Sequence, residues 1–463
     1  MLSYLAITFI LTAPVGLYAV YRLLLPKPLH GIPYNADSAN RLVGDIPGLI
    51  SEISGRGDFV AWLTEGNLKS GSIINQIFLR PFSKPFVVLA DHREARDIQM
   101  NRTKEFDRTD DILYIFGPLM RSNQIVLKTG PEWKLHRRLV QDTMSPDTML
   151  PAFLHSVVAP SMYASSLRFI KRWKTKAAIA NGRLFEAGED ISLATLDAAF
   201  AFTFGPEFPH KATNPEIEGL DYSCIEPYQS LDEPIKFTSP SQDQEADSII
   251  KLVEEVERVQ SSPSPWLKWK LVAIRLSFKR RQSTKDACIR REIEKAVERR
   301  IHKTSVSDES WIKNTVELVV NREENLARKD VGEIDESRRS LQSQEEKRKG
   351  NAPSWDASDA SLFRPERWLK RISDSSSEKP QNDDGFVFNS QAGPINTFGL
   401  GLRGCFGRKL AYIELRIMLV MMIWNLELLR CPAELSAYAS KLVHTGKPQQ
   451  CFVRLKAVKN RQV

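Results

Sequence analysis

Between Asn396 and Tyr412 the chain reads NTFGLGLRGCFGRKLAY: four glycines, an arginine and one cysteine, ahead of an apolar run that continues to Trp424. A lone cysteine is most often a small buried hydrophobe. The neighbours of Cys405 point elsewhere. Glycines at 399, 401, 404 and 407 let something flat and rigid approach the backbone closely. The periodicity predicts a helix over Leu410–Trp424, and the amides at its start favour a thiolate just before it. Arg403 offers a cation to an anionic group on the same ligand. Thiolate, glycine-lined face and arginine together fit haem, with sulfur on iron and guanidinium on a propionate. The competing expectation is a glycine-rich turn before a core helix.

The rest of the chain sets the context. Its 463 residues are 42% hydrophobic, enough for a sizeable core. The net charge of +8 comes from Lys and Arg dispersed among many acids, which excludes a nucleic-acid footprint and suits an anionic lipid surface or an acidic partner. The five cysteines, Cys224, Cys288, Cys405, Cys431 and Cys451, form no C-x-x-C pair; an odd, scattered set argues for a reducing compartment. Residues 2–21 are uncharged and mostly apolar, long enough as a helix for the ~30 Å of a bilayer core. Arg22 and Lys27 follow and no basic residue precedes, which places the remainder in the cytoplasm. A signal peptide would need a basic start and a small-residue cleavage site. Pro26, Pro28 and Pro33 then predict a stiff hinge over 22–35.

Beyond the hinge the sequence reads mainly as helices. PEWKLHRRLVQDTM opens with a first-turn proline and an acid; EDISLATLDAAFAFTFG starts acidic and closes on glycine. TKDACIRREIEKAVERRIHK is a long charged amphipathic helix, and FVVLA at 86–90 a strand. SSPSPWLKWKLVAIRLS sets Trp266 and Trp269 beside lysines, as a core-packed helix or one resting at a membrane interface. Residues 325–351 are poor in large apolar side chains and read as a solvated linker.

FGLGLRGCFG fits F-x-x-G-x-R-x-C-x-G at Phe398, Gly401, Arg403, Cys405 and Gly407. In this it resembles the haem-thiolate signature of the cytochrome P-450 family. FRPERW, ending at Trp368, is similar to that family's F-x-P-E-R-W, and WKLHR to its W-x-x-x-R. The anchor and proline hinge resemble those of microsomal members, and LHGIPYN and GCFGRKLAYIELR resemble filamentous-fungal enzymes of secondary metabolism. The resemblance implies a mainly α fold with minor β, behind one N-terminal transmembrane helix in the endoplasmic reticulum membrane. It implies haem b on Cys405, with Phe398 shielding the sulfur. Arg403, Trp133 and Arg137 would donate to propionates, and Arg367 would join a charge network beside the haem. It implies monooxygenation of a small apolar substrate with O2, fed by an NADPH-dependent diflavin reductase.

The family also carries a long central helix with A/G-G-x-D/E-T, then E-x-x-R. No stretch here matches the first. AGEDIS, Ala187–Ser192, has Ile191 in place of the threonine and precedes an earlier helix. Glu336/Arg339, Glu255/Arg258, Glu345/Arg348 and Glu427/Arg430 all have the spacing of the second. The expected organisation is an anchor at 2–21, a hinge at 22–35, haem-domain parts at 36–324 and 352–463, and between them a polar linker, 325–351, where the central helices belong. Two other outcomes stay open: a non-catalytic or defective haem-binding membrane protein, and a haem-thiolate isomerase or peroxide user that activates no oxygen.

Overall fold

The computed structural model describes residues 14–55, 57–80, 83–120, 122–144, 153, 157–213, 230–237, 243–262, 264–302, 311–328, 364–371, 386–388, 393, 396–437, 439–442 and 446–458. Their principal helices are α1 Ile46–Gly55, α2 Phe59–Ser70, α3 His92–Met100, α4 Asp110–Met120, α5 Pro131–Met144, α6 Ala159–Ala180, α7 Gly188–Phe204, α8 Gln244–Gln260, α9 Pro265–Ile274, α10 Leu276–Ile301, α11 Thr315–Arg328 and α12 Arg408–Asn425. The strands are β1 Ile74–Ile77, β2 Phe86–Leu89, β3 Leu184–Glu186, β4 Leu369–Arg371, β5 Phe386–Phe388, β6 Leu426–Leu429, β7 Ser440–Leu442, β8 Gly446–Pro448 and β9 Phe452–Ala457. The mainly helical expectation with minor sheet is met.

Local chemistry accounts for these boundaries. Asp58, Asp91 and Asp243 cap α2, α3 and α8, each side chain accepting from two first-turn amides that no intrahelical carbonyl can reach. Pro131 opens α5, where its missing N–H loses nothing. Gly205, at φ 98°, ends α7 as the sequence predicts.

The chain divides into two compact units, one of residues 1–90, 107–324 and 406–463, the other of 91–106 and 325–405. In the larger unit the sheet β3-β9-β6 is antiparallel, pairing Leu184 with Arg454 and Leu426 with Ala457. Phe169, Trp173, Phe185, Met418 and Leu455 pack its main core from α6, β3, α12 and β9. A second cluster, Leu252, Val256, Trp269, Val272 and Phe278, joins α8 to α9 and α10. In the smaller unit α3 packs on the 3-10 turn Gly401–Arg403, and β4 pairs with β5.

A buried ionic cluster pins α6 to α7. Asp190 accepts from Arg172 Nε at 3.0 Å, Lys176 Nζ at 2.6 Å and Trp173 Nε1 at 3.2 Å. All are almost fully buried, and burial depresses the Lys176 ammonium below its ordinary value. AGEDIS therefore has a structural role. It starts α7 and supplies the anion for two buried cations.

Among the described residues no helix is long and apolar enough to cross a membrane. Most of the expected anchor, 2–21, lies outside them; its described end belongs to a helix over 14–24, so the first residues of the expected hinge are still helical. The remainder of the hinge is held to β1. Gln76, buried, accepts from the Leu29 amide at 2.8 Å and donates to the Leu29 and Ile32 carbonyls at 2.8 and 2.7 Å. The prolines stiffen the segment, and the Gln76 side chain pairs the backbone of Leu29 and Ile32 between them.

Candidate haem-thiolate site

The loop before Cys405 is fixed from both sides by backbone chemistry. Gly399 and Gly401 both lie at φ 62°, a conformation L side chains avoid. At Gly401 a Cβ would also collide with the backbone carbonyl of Gln99, at the end of α3. The missing side chain lets loop and helix end meet backbone to backbone. Gln99 then reaches over the contact, its Oε1 accepting from the Leu400 amide at 2.7 Å. The chain turns through Gly401–Arg403, with the Gly404 amide on the Gly401 carbonyl at 3.0 Å. It returns so that the Cys405 amide donates to the Phe398 carbonyl at 2.6 Å. The Cys405 thiol is free and exposed. Among the described cysteines Cys288 is buried, and Cys431 and Cys451 are half-buried and free. Cys224 lies outside the described residues.

The other expected residues fall as follows. Phe398 and Arg403 are half-buried in the same loop. Gly407 immediately precedes α12 and accepts from the Ala411 amide at 2.9 Å. Trp133 and Arg137 share one face of α5, as four-residue spacing requires. Trp133 is buried, and the Arg137 guanidinium lies 5.2 Å from its ring and 5.2 Å from the Phe406 ring. Two aromatic faces thus hold a planar cation in place. Arg367 is buried on the Pro365–Trp368 turn.

Of the four E-x-x-R candidates, two can be judged. Glu255 is buried and binds Arg258 at 2.6 Å and Arg275 at 3.3 Å, a clasp between α8 and the α9–α10 junction. Glu427 lies on β6 with Lys456 at 3.7 Å. Glu336/Arg339 and Glu345/Arg348 lie outside the described residues. His210, Asp243 and Glu245 also gather ligand-type atoms. Arg291 Nη2 lies 2.8 Å from His210 Nε2 and its Nη1 3.6 Å from Glu245, so a fixed cation already serves that group.

Three residues escaped the sequence reading. Gln99 gave no signal, because its role depends on where Gly401 arrives. Phe406 reads as an ordinary apolar neighbour. Glu414 did carry a signal: one acid in the apolar run of α12, on the side of Leu410, Ile417 and Met418, which pack into cores. Burial pushes its carboxyl from 4.5 up to about 7. The unfolded chain ionises near 4.5 and the folded chain only near 7. The stability Glu414 contributes is therefore full at acid pH, falls as pH rises, and is gone beyond about 7. Roughly 3 kcal/mol is at stake. Glu414→Gln should flatten denaturant midpoints across that window; parallel pH profiles for the two proteins would contradict this.

The family model for cytochrome P450 matches residues 74–330 and 354–449, well over half of the chain. The chain is 27% identical to the cytochrome P450 monooxygenase TRI13 of Fusarium sporotrichioides, covering 96% of this chain and 98% of the relative. It is 26% identical to GME11363 of Pestalotiopsis microspora, over 96% of each. It is 26% identical to xilC of Penicillium rubens, over 96% of this chain and 94% of the relative; both are named cytochrome P450 monooxygenases. The alignment with TRI13 runs over 583 positions, longer than the chain itself, so that relative has residues with no counterpart here. The cysteine loop, the aromatic-clasped arginine of α5 and the two-part match lead to one assignment: the chain belongs to the cytochrome P450 family.

Proposed function

We propose that the chain is built as a haem-thiolate monooxygenase, with Cys405 as the axial ligand of haem b. The observation that carries this is the free, exposed Cys405 thiol on a loop that Gly401 and Gln99 hold rigid. The donor set fits the group. Cys405 offers sulfur and the loop amide behind it is already bonded, so the backbone need not rearrange on binding. Phe398 would cover the sulfur, Gly401 and Gly407 would leave room at the ring edge, and Arg403, Trp133 and Arg137 would serve the propionates. When bound, haem would supply oxygen activation, and the Cys405 thiolate would lend it electron density. The protein's part is to hold the sulfur, neutralise the propionates and exclude water.

The substrate class is a small apolar intermediate of secondary metabolism. The fungal relatives, named as monooxygenases, support the reaction class. Electrons would come from an NADPH-dependent diflavin reductase, and the net charge of +8 suits docking to an acidic partner. Carbon monoxide added to the reduced, haem-loaded protein should give the strongly red-shifted Soret band of a thiolate ligand. An unshifted band would rule the ligand out.

Residues 2–21 are read as the membrane anchor, placing the remainder on the cytoplasmic side of the endoplasmic reticulum. A second contact is available at α9. Trp269 and Val272 are buried, while Trp266, Leu267, Leu271, Ile274 and Leu276 are exposed among Lys268, Lys270 and Arg275. Lys270 sits 3.9 Å over the Trp266 ring. Apolar tips ringed by cations suit an anionic interface. A form lacking residues 1–25 should still bind vesicles containing phosphatidylserine, and Trp266→Glu/Leu271→Glu in that form should end binding. Undiminished binding by the doubly substituted form would refute the contact.

A second reading has its own observation. The family match breaks between residues 330 and 354, where the polar linker lies. The chain as written then lacks the distal helices that cover the haem face. It would hold haem weakly and turn over little; oxidation of a substrate with reductase and NADPH by these 463 residues would refute this.

A further inference from the structure

Strand β1 carries two buried side-chain amides, and their hydrogen bonding differs. Gln76 bonds to the hinge through both ends of its amide. Asn75 beside it is 4% exposed, and its Oδ1 has no hydrogen-bond partner among the described residues. That oxygen is also closed to water, so solvent does not stand in. A buried polar group left this way costs the folded chain free energy, and native structures keep few of them. The Asn75 side chain lines a cavity of about 580 Å³ within the larger unit, walled by α1, α2 and the stretch that follows the hinge. That volume falls in the range of small-molecule sites.

Glycines shape the cavity around two polar groups. On α2, a Cβ at Gly66 would lie 3.1 Å from Asn75 Nδ2, so the missing side chain makes room for the amide. On α1, the heavy atom nearest a Cβ at Gly48 would be Trp62 Nε1, at 3.9 Å, so the indole N–H faces a wall without a side chain. The charges of the lining are already engaged. Glu65 and Lys69 pair at 2.9 Å, Asp45 Oδ2 accepts from the Phe78 amide at 2.8 Å, and Arg41 is exposed to solvent. The remaining groups call for a neutral ligand. An asparagine amide offers an acceptor beside a donor, and a half-turn about its last side-chain bond exchanges the two. A ligand edge with donor and acceptor side by side meets that amide in either turn. We propose that this cavity binds a small, neutral, planar molecule with a carboxamide or lactam edge. The edge pairs with Asn75, and the apolar body lies against Trp62 and Leu63. Every lining residue lies between positions 34 and 77, so the site stands apart from the assignment of Cys405.

The probe is para-fluorobenzamide, followed by fluorine NMR on the full chain. Its signal should broaden saturably as protein is added. The compound para-fluoroacetophenone keeps the ring and the carbonyl and loses the N–H donors. It should bind about ten-fold more weakly, the factor that ~1.4 kcal/mol gives. Asn75→Leu keeps the shape of the side chain and removes both polar atoms, and Gly66→Ala pushes a methyl onto the amide. Each should weaken the benzamide by at least the same factor. Because the Asn75 oxygen has no partner in the free chain, Asn75→Leu should leave the urea midpoint unchanged or raise it. Added benzamide should raise the midpoint of the wild type and not that of Asn75→Leu. Absence of saturable broadening, equal affinity of the two probes, or broadening that both variants leave intact would each overturn the proposal. So would a lower midpoint for Asn75→Leu, which would show that Asn75 serves the fold itself.

Discussion

Cys405→Ser is expected to abolish the red-shifted carbon monoxide band completely, leaving at most the spectrum of loosely bound haem. Serine is nearly isosteric, so the loop has no reason to collapse: the Cys405 amide bond to the Phe398 carbonyl and the Gly401–Gln99 approach are both backbone features. What changes is the donor, from a thiolate to a hydroxyl that stays protonated at neutral pH. Cys431→Ser and Cys451→Ser should keep the band. Cys431 Sγ is 3.6 Å from the Phe452 carbonyl, and burial raises the Cys451 thiol pKa. Gly401→Ala should lose the band by another route. It forces a methyl against the Gln99 carbonyl at a positive φ. Wild-type and Cys405→Ser spectra that coincide would end the assignment.

Asp190→Ala is expected to unfold much of the larger unit. It leaves the Arg172 guanidinium and Lys176 ammonium buried without an anion, a loss of about 3–5 kcal/mol. Stabilities of domains are only about 5–15 kcal/mol. Asp286→Ala is the control. Its ion pair with Lys285 is on the surface and worth under about 1 kcal/mol. Replacing the whole cluster, Arg172→Met with Lys176→Met and Asp190→Leu, should recover most of the loss, because no charge then remains to be desolvated. Urea midpoints of the three proteins give the answer. An Asp190→Ala midpoint equal to that of Asp286→Ala would show that the cluster is not balanced by Asp190.

The helices around this cluster were legible from local rules. Pro131, the Asp190 acid turn and Gly205 set boundaries that tertiary packing did not move. The cluster itself was not. Nothing local to KRWKTK on α6 marks Arg172 and Lys176 for burial; the approach of α7 buries them. Trp266 and Trp269 suggested two readings, core and membrane interface. The boundary between the covered and open sides of α9 passes between them, so Trp269 is buried and Trp266 exposed. At the site, the spacing of Phe398, Gly401, Arg403, Cys405 and Gly407 was readable because glycine, arginine and cysteine each have one physical use there. Gln99 was invisible, since nothing local to HREARDIQM says that a glycine three hundred positions on will land beside it. Spacing also could not choose among the E-x-x-R pairs. The clasp at Glu255 shows that a match can be filled for a different structural purpose.

The bond from Leu400 to Gln99 joins positions 301 residues apart. At roughly 5–20 residues per second, Gln99 leaves the ribosome's active centre about 15–60 s before Leu400 is made. Until then α3 has nothing to seat, and the cysteine loop does not exist. Closure over such a separation is slow compared with the local turns that set the helices. On the thiolate reading, cofactor capture then waits until the chain has been made through Cys405. Nascent polypeptides and those truncated before residue 405 cannot draw on the cell's haem through this sulfur. The loop demands that an early helix and a late loop have met before iron chemistry is admitted.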